Sequence, residues 1–159
     1  MRSDRAGSVG FQGGDGVSSP EQYHFQYLDH TADVAVVARG ADPAGTFASA
    51  ARAMFEIMAD LRNVSELESR DVEVASDDLE GLLVDWLNEL LFLFDTEQLL
   101  LSRFEVHGVR GNGLRATVYG ERIDPARHHL KRGIKAVTYH LLEVKCEDSG
   151  CWARVLFDV

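Results

Sequence analysis

Apolar and polar positions change their period along this chain, and each change marks an element. FQYLDHTADVAVVAR, from Phe25 to Arg39, reads as a first strand interrupted by the polar segment DHTAD and ended by Gly40. Asp42 then stands before Pro43, an N-cap followed by proline at the first helical position. Phe47, Ala50, Met54, Met58 and Leu61 recur at helical spacing and predict an amphipathic helix that stops near Asn63. RDVEVAS alternates Val72 and Val74 with charges, as a short strand does. In SDDLEGLLVDWLNELLFLF, Asp77 stands three residues before Glu80, close in kind to a capping box. Leu79, Leu82, Leu83, Trp86, Leu87, Leu90 and Phe94 cover one broad stripe of this second helix, leaving Glu80, Asp85 and Glu89 as a solvated face.

From Leu100 the period becomes two. SRFEVHGV and LRATVYG flank VRGNG, whose Asn112-Gly113 pair signals a hairpin. The glycines at 108, 111 and 113 do not make a phosphate loop, because such a loop runs from a strand into a helix. In IDPARHHLKRGIKAVTYHLLEVKC, ARHHLKRG reads as a loop and LLEVKC as a strand, while KAVTYH fits a helical turn or more strand. WARVLFDV is a final strand. The order of elements predicts an α+β fold, two amphipathic helices packed on a mostly antiparallel sheet. The expected domain spans residues 23–159, behind a flexible Gly- and Ser-rich leader at residues 1–22.

Composition narrows the function classes. The chain has 159 residues, enough for one domain with a real core, and carries 26 acidic against 16 basic side chains. A net charge of -10 repels a phosphate backbone, which argues against autonomous nucleic-acid binding. No stretch approaches a membrane span, and the first residues lack the apolar core of a signal peptide, so a cytoplasmic protein is expected. Cys146 and Cys151 flank EDSG, a candidate hairpin loop, and could face each other across the ladder. A redox disulfide and half of a metal site are the functional readings; two small, half-buried strand residues in a reducing cytosol are the favoured one.

Three features exceed what a plain core requires. DHTAD puts Asp29, His30, Thr31 and Asp33 at the mouth of an apolar strand. A turn explains Asp29, but Val34 follows Asp33 at once, and a desolvated carboxylate needs a partner. The closing LFDV sets Asp158 deep in an apolar strand beside the Val159 carboxylate. If the first and last strands are neighbours, Asp33, Asp158 and Val159 could converge, and would repel one another unless protons or a cation intervened. Oxygen-only ligation favours Ca²⁺, Mg²⁺ or Mn²⁺ over zinc. The third feature is ARHHLKRGIK, with Arg127, His128, His129, Lys131, Arg132 and Lys135, either a solvated loop or a contact for phosphates or an acidic partner. No zinc-ligand spacing joins His30, His128, His129 and His140, and no nucleophile motif surrounds a Ser or Cys.

YLDHTADVAVVARG, the A-x-AMF-x-IM helix, DDLEGLLVDWLNELLFLFD, GE-x-I, IKAVTYH and the terminal FDV, taken in this order, resemble the archease family from about Tyr27 to Val159. The resemblance implies a compact α+β protein that activates an RtcB-type RNA ligase, promoting its guanylylation and turnover in tRNA splicing or RNA repair. The chain would then be no enzyme of its own, meeting RNA or GTP only through the ligase, with no membrane partner. The resemblance also implies a divalent-metal site at Asp33, Asp158 and Val159, with Ca²⁺ the first candidate and Mg²⁺ or Mn²⁺ the alternatives. It implies a functionally important lysine at Lys135 and matches His128 to a histidine common in the family. The competing readings are a metal-dependent hydrolase or phosphotransferase, with His30 or His140 as base, and a chaperone-like module for nucleic-acid-modifying enzymes.

Overall fold

A computed structural model describes residues 23–29 and 33–159; the expected leader at 1–22 lies outside the described residues, as do His30 and Thr31. Strand β1 (His24–Asp29) pairs antiparallel with β2 (Asp33–Gly40), with Asp29 opposite Val34. The single interrupted strand expected from the sequence is therefore a hairpin. Asp29 and Asp33, the two ends of DHTAD, stand at the facing ends of the two strands. Gly40 ends β2 against the next helix: a Cβ there would lie 2.3 Å from the Thr46 backbone nitrogen.

Helix α1 (Pro43–Met58) begins at Asp42, whose side chain accepts from the Gly45 N–H at 2.8 Å. It stops before the expected Asn63. Ala59 is extended and bridges to Leu130, and a 3-10 turn (Leu61–Asn63) follows. Strand β3 (Glu68–Ala75) leads to helix α2 (Leu79–Glu97), and β4 (Leu99–Arg110), β5 (Gly113–Arg122), β6 (Ala136–Glu147) and β7 (Gly150–Asp158) complete the chain. The α2 cap is Asp78, accepting from Gly81 N–H at 2.7 Å, one residue beyond the Asp77 expected. KAVTYH resolves as strand, the first half of β6.

Every pairing among these strands is antiparallel, as predicted, but they form two sheets. One has the order β1-β2-β7-β6 and the other β3-β5-β4. Both helices touch both sheets. That position explains the composition of α1: small residues Ala48, Ala50, Ala51 and Ala53 are buried with Phe47, Met54, Phe55 and Met58, so little of the helix is left for solvent. Trp86 on α2 is fully buried and donates from Nε1 to the Phe47 carbonyl at 2.9 Å, which ties the two helices together. Among the described residues, no buried side-chain nitrogen or oxygen lacks a partner, and no helix is long and apolar enough to cross a membrane.

Trp86→Phe removes both the indole N–H and part of the core volume, so it should destabilise the fold by roughly 1–3 kcal/mol. The denaturant midpoint of the variant against that of the wild-type protein measures this.

Candidate functional site

Strand β7 lies between β2 and β6, and its register decides which residues meet. Asp33 is the direct partner of Asp158 across β2 and β7, and Ala136 is the partner of Asp158 across β6 and β7. Residues directly opposite on antiparallel strands project to the same face. The two half-buried aspartates thus share one face at one end of the sheet, with half-buried Val159 next in sequence. The Lys135 N–H donates to the Asp158 carbonyl at 2.7 Å, and this bond seats the exposed lysine at the same corner. Asp33, Asp158, Val159 and Lys135, distant in sequence, are brought together. His140 lies exposed further along β6, its N–H donating to Thr138 Oγ1 at 3.2 Å.

The segment leading to Lys135, residues 123–135, is a loop as expected, but its basic residues are mostly used internally. Glu121, at the end of β5, is 3% exposed and accepts from Arg127 Nη2 at 2.5 Å, Ser65 N–H at 2.6 Å and the His128 ring at 3.0 Å. His128 Nδ1 accepts from the Asp124 N–H at 2.8 Å, which leaves Nε2 to donate to Glu121. Further along, Asp60 N–H donates to the His129 carbonyl at 3.0 Å and Lys131 N–H to the Met58 carbonyl at 2.8 Å. Lys131 Nζ reaches the Glu56 carbonyl at 2.9 Å. The loop is therefore pinned to β5 at one end and to the end of α1 in its middle. The patch is no uniform solvated surface: Arg127, His128 and Lys131 hold the loop, while His129, Arg132 and Lys135 face solvent.

The model of the Archease protein family matches residues 25–159 of the chain. The chain belongs to the archease family. Curated relatives named "Protein archease" include one from Methanothermobacter thermautotrophicus, 43% identical, covering 85% of this chain and 98% of the relative. Another, from Methanosarcina mazei, is 39% identical over 85% of this chain and 95% of its own length. The solution structure of Methanobacterium thermoautotrophicum protein 1598 superposes with a TM-score of 0.74 at 43% identity, over 85% of this chain and 98% of that one. These are likenesses over the whole described domain, and they carry the archease fold.

The donor chemistry of the corner suits a hard cation in part. Two carboxylates opposed across a ladder repel unless a cation or proton is shared, and an all-oxygen set favours Ca²⁺, Mg²⁺ or Mn²⁺. Among the described residues, however, no three His, Cys, Asp or Glu side chains gather closely enough to hold a metal ion. Asp33 and Asp158 bring two side-chain carboxylates to the corner.

Two features differ from the sequence reading. Cys146 and Cys151 are paired opposite one another in the β6–β7 ladder and form a disulfide, with Cα atoms 4.1 Å apart, where two unlinked cysteines were favoured. The hairpin register brings them face to face, a geometry that the EDSG spacing already allowed. Glu121 went unremarked as a buried group. Its signal was a lone carboxylate in the apolar run VYGERI, following Gly120, where a Cβ would lie 2.0 Å from the Leu100 carbonyl oxygen.

Hydrogen bonding from Arg127 holds the Glu121 carboxyl at about 2, against the opposing pull of burial, with Ser65 and His128 helping. A carboxyl depressed on folding adds stability above its unfolded value and loses it as pH falls through the folded one. Wild-type stability should therefore decline between about pH 5 and pH 2 by an amount to which Glu121 adds roughly 2–3 kcal/mol. Glu121→Gln should be less stable at pH 7 and show a shallower acid slope. Denaturation midpoints taken across this pH range in both proteins provide the comparison.

Proposed function

We propose that this archease is a cytoplasmic accessory protein that activates an RtcB-type RNA ligase, promoting its guanylylation and multiple turnover in tRNA splicing or RNA repair. The observation that carries the reading is the corner itself: Asp33 opposite Asp158, with Lys135 tied to Asp158 through its backbone. The Lys135 N–H bond to the Asp158 carbonyl seats an exposed cationic side chain beside the paired carboxylates, a combination suited to contact with a phosphate.

Asp33, Asp158 and the Val159 carboxylate would hold a divalent cation, Ca²⁺ first and Mg²⁺ or Mn²⁺ as alternatives. When bound, the cation would neutralise the opposed carboxylates and offer an electropositive point to the ligase's own nucleotide site. Lys135 Nζ stands free of the loop's internal bonds among the contacts described, and its role is to meet a phosphate of GTP inside the ligase. A cation positioned there favours charge as it develops on the phosphate. The archease supplies no nucleophile in this scheme, and it meets RNA and GTP only in the ligase complex.

Loading of GMP from labelled GTP onto the same organism's ligase, with trace archease, tests the proposal. Wild type should accelerate loading, and Lys135→Ala or Asp33→Ala should each reduce the acceleration by about tenfold or more. Acceleration that survives both substitutions would keep the activator role and dismiss this corner. No acceleration with any of the three cations would dismiss the role, and the purified protein would then be assayed for phosphatase turnover of its own. For the cation, a melting temperature that rises on Ca²⁺ addition in wild type but not in Asp158→Asn is the expected result.

A further inference from the structure

The β6–β7 hairpin carries the chain's two cysteines, and the corner at Asp158 uses neither. Cys146 and Cys151 are direct partners in the ladder, next to the Glu147–Gly150 pair that closes it around the turn Asp148-Ser149. On their other side Lys145 pairs with Trp152 and Val144 with Ala153, so backbone pairing flanks the disulfide in both directions. A cross-link gains most when it closes a long loop. This one joins residues separated by five positions, which the turn and the ladder already bring together. It is a weak staple. The two residues also differ in access. Cys146 is exposed on β6, an edge strand, whereas Cys151 is 6% exposed on β7, between β6 and β2.

We infer that Cys146–Cys151 is a reversible thiol–disulfide site, opened and closed through Cys146 by an external thiol or dithiol while the domain stays folded. The site is independent of the activator reading. In opening, a thiolate of the co-reactant attacks Cys146 Sγ and the bond to Cys151 breaks. A mixed disulfide forms on Cys146, and Cys151 leaves as a thiolate and takes up a proton. A second thiolate of the co-reactant then attacks its own sulfur in the mixed disulfide. Cys146 is released as a thiol and the co-reactant departs as a disulfide, so two electrons have passed to the cysteine pair. Exchange requires a line of approach to the attacked sulfur, which the edge strand gives to Cys146 and burial denies to Cys151. Once reduced, the two thiols are kept opposite one another by the flanking backbone pairs, so an oxidised co-reactant can re-close them without refolding. With two cysteines in the whole chain, no other pairing competes.

Wild-type protein is equilibrated without denaturant in glutathione buffers of increasing reduced-to-oxidised ratio, then with dithiothreitol, and its free thiols are alkylated and counted by mass spectrometry. The expected result is conversion from no free thiol to two, reversed by oxidised glutathione, with a cooperative melt retained in the reduced protein. Single-cysteine variants test the route. Cys151→Ser, which keeps Cys146, should form a mixed disulfide with oxidised glutathione at least about tenfold faster than Cys146→Ser. A pair that opens only once denaturant is added would overturn the inference, as would a reduced protein that no longer melts cooperatively; either makes the bond a structural staple. Reaction at Cys151 as fast as at Cys146 would overturn the route through the exposed residue. None of these outcomes depends on whether the protein accelerates a ligase, so the two proposals fail separately.

Discussion

The structure turns on the register of one strand. β7 is sandwiched between β2 and β6, and its buried residues Ala153, Val155 and Phe157 alternate with residues that face away. Slipping the pairing by one residue would move that whole apolar set to the other face, so burial locks the register. The lock fixes Asp158 opposite Asp33 and Ala136, and through Ala136 it fixes where Lys135 leaves the loop. Burial thus sets the position of charge. The carboxylates did not choose each other; the apolar residues on the same strands did.

Loop 123–135 is held from two directions on its way to the corner. Glu121 gathers Arg127, His128 and the Ser65 N–H, while the chain beyond it is stitched to the last turn of α1. The loop has little apolar burial of its own, so these polar bonds are what limit the positions Lys135 can take. Three of the six basic residues in the segment serve this purpose, and the solvent-facing remainder includes the lysine of the corner.

Local chemistry was legible wherever a pattern ran long enough. The α2 stripe and the Asp42-Pro43 start of α1 follow from side-chain period and backbone preference, and the β4–β5 hairpin was legible too, although its turn is Gly111-Asn112, with Gly111 at φ 56° and Gly113 already paired with Arg110. Boundaries were less legible. Asp77 and Asp78 are equally good caps in isolation, and it is Asp78 that accepts from the Gly81 N–H. The α1 pattern continued through Leu61, yet the helix ended at Met58 because backbone groups from 129–131 met its last turn. One interrupted strand and two paired strands have the same composition, and only the antiparallel pairing of β1 with β2 tells them apart. The convergence of Asp33 and Asp158 rested on strand adjacency, which periodicity does not encode. The division into two sheets and the buried Glu121 depended on contacts between residues far apart in sequence, and no local pattern carries those.

The four-stranded sheet joins the two ends of the described chain: β1 and β2 come first, β6 and β7 last, and the whole three-stranded sheet and both helices lie between them in sequence. During synthesis, β2 has no neighbour on its β7 side until the final strand has emerged, although α1, α2 and the sheet β3-β5-β4 can already pack. The Asp33–Asp158 corner therefore cannot form until β7 is present to pair with β2. A chain halted before residue 150 would carry Asp33 on an unpaired edge of β2, with no Asp158 opposite it.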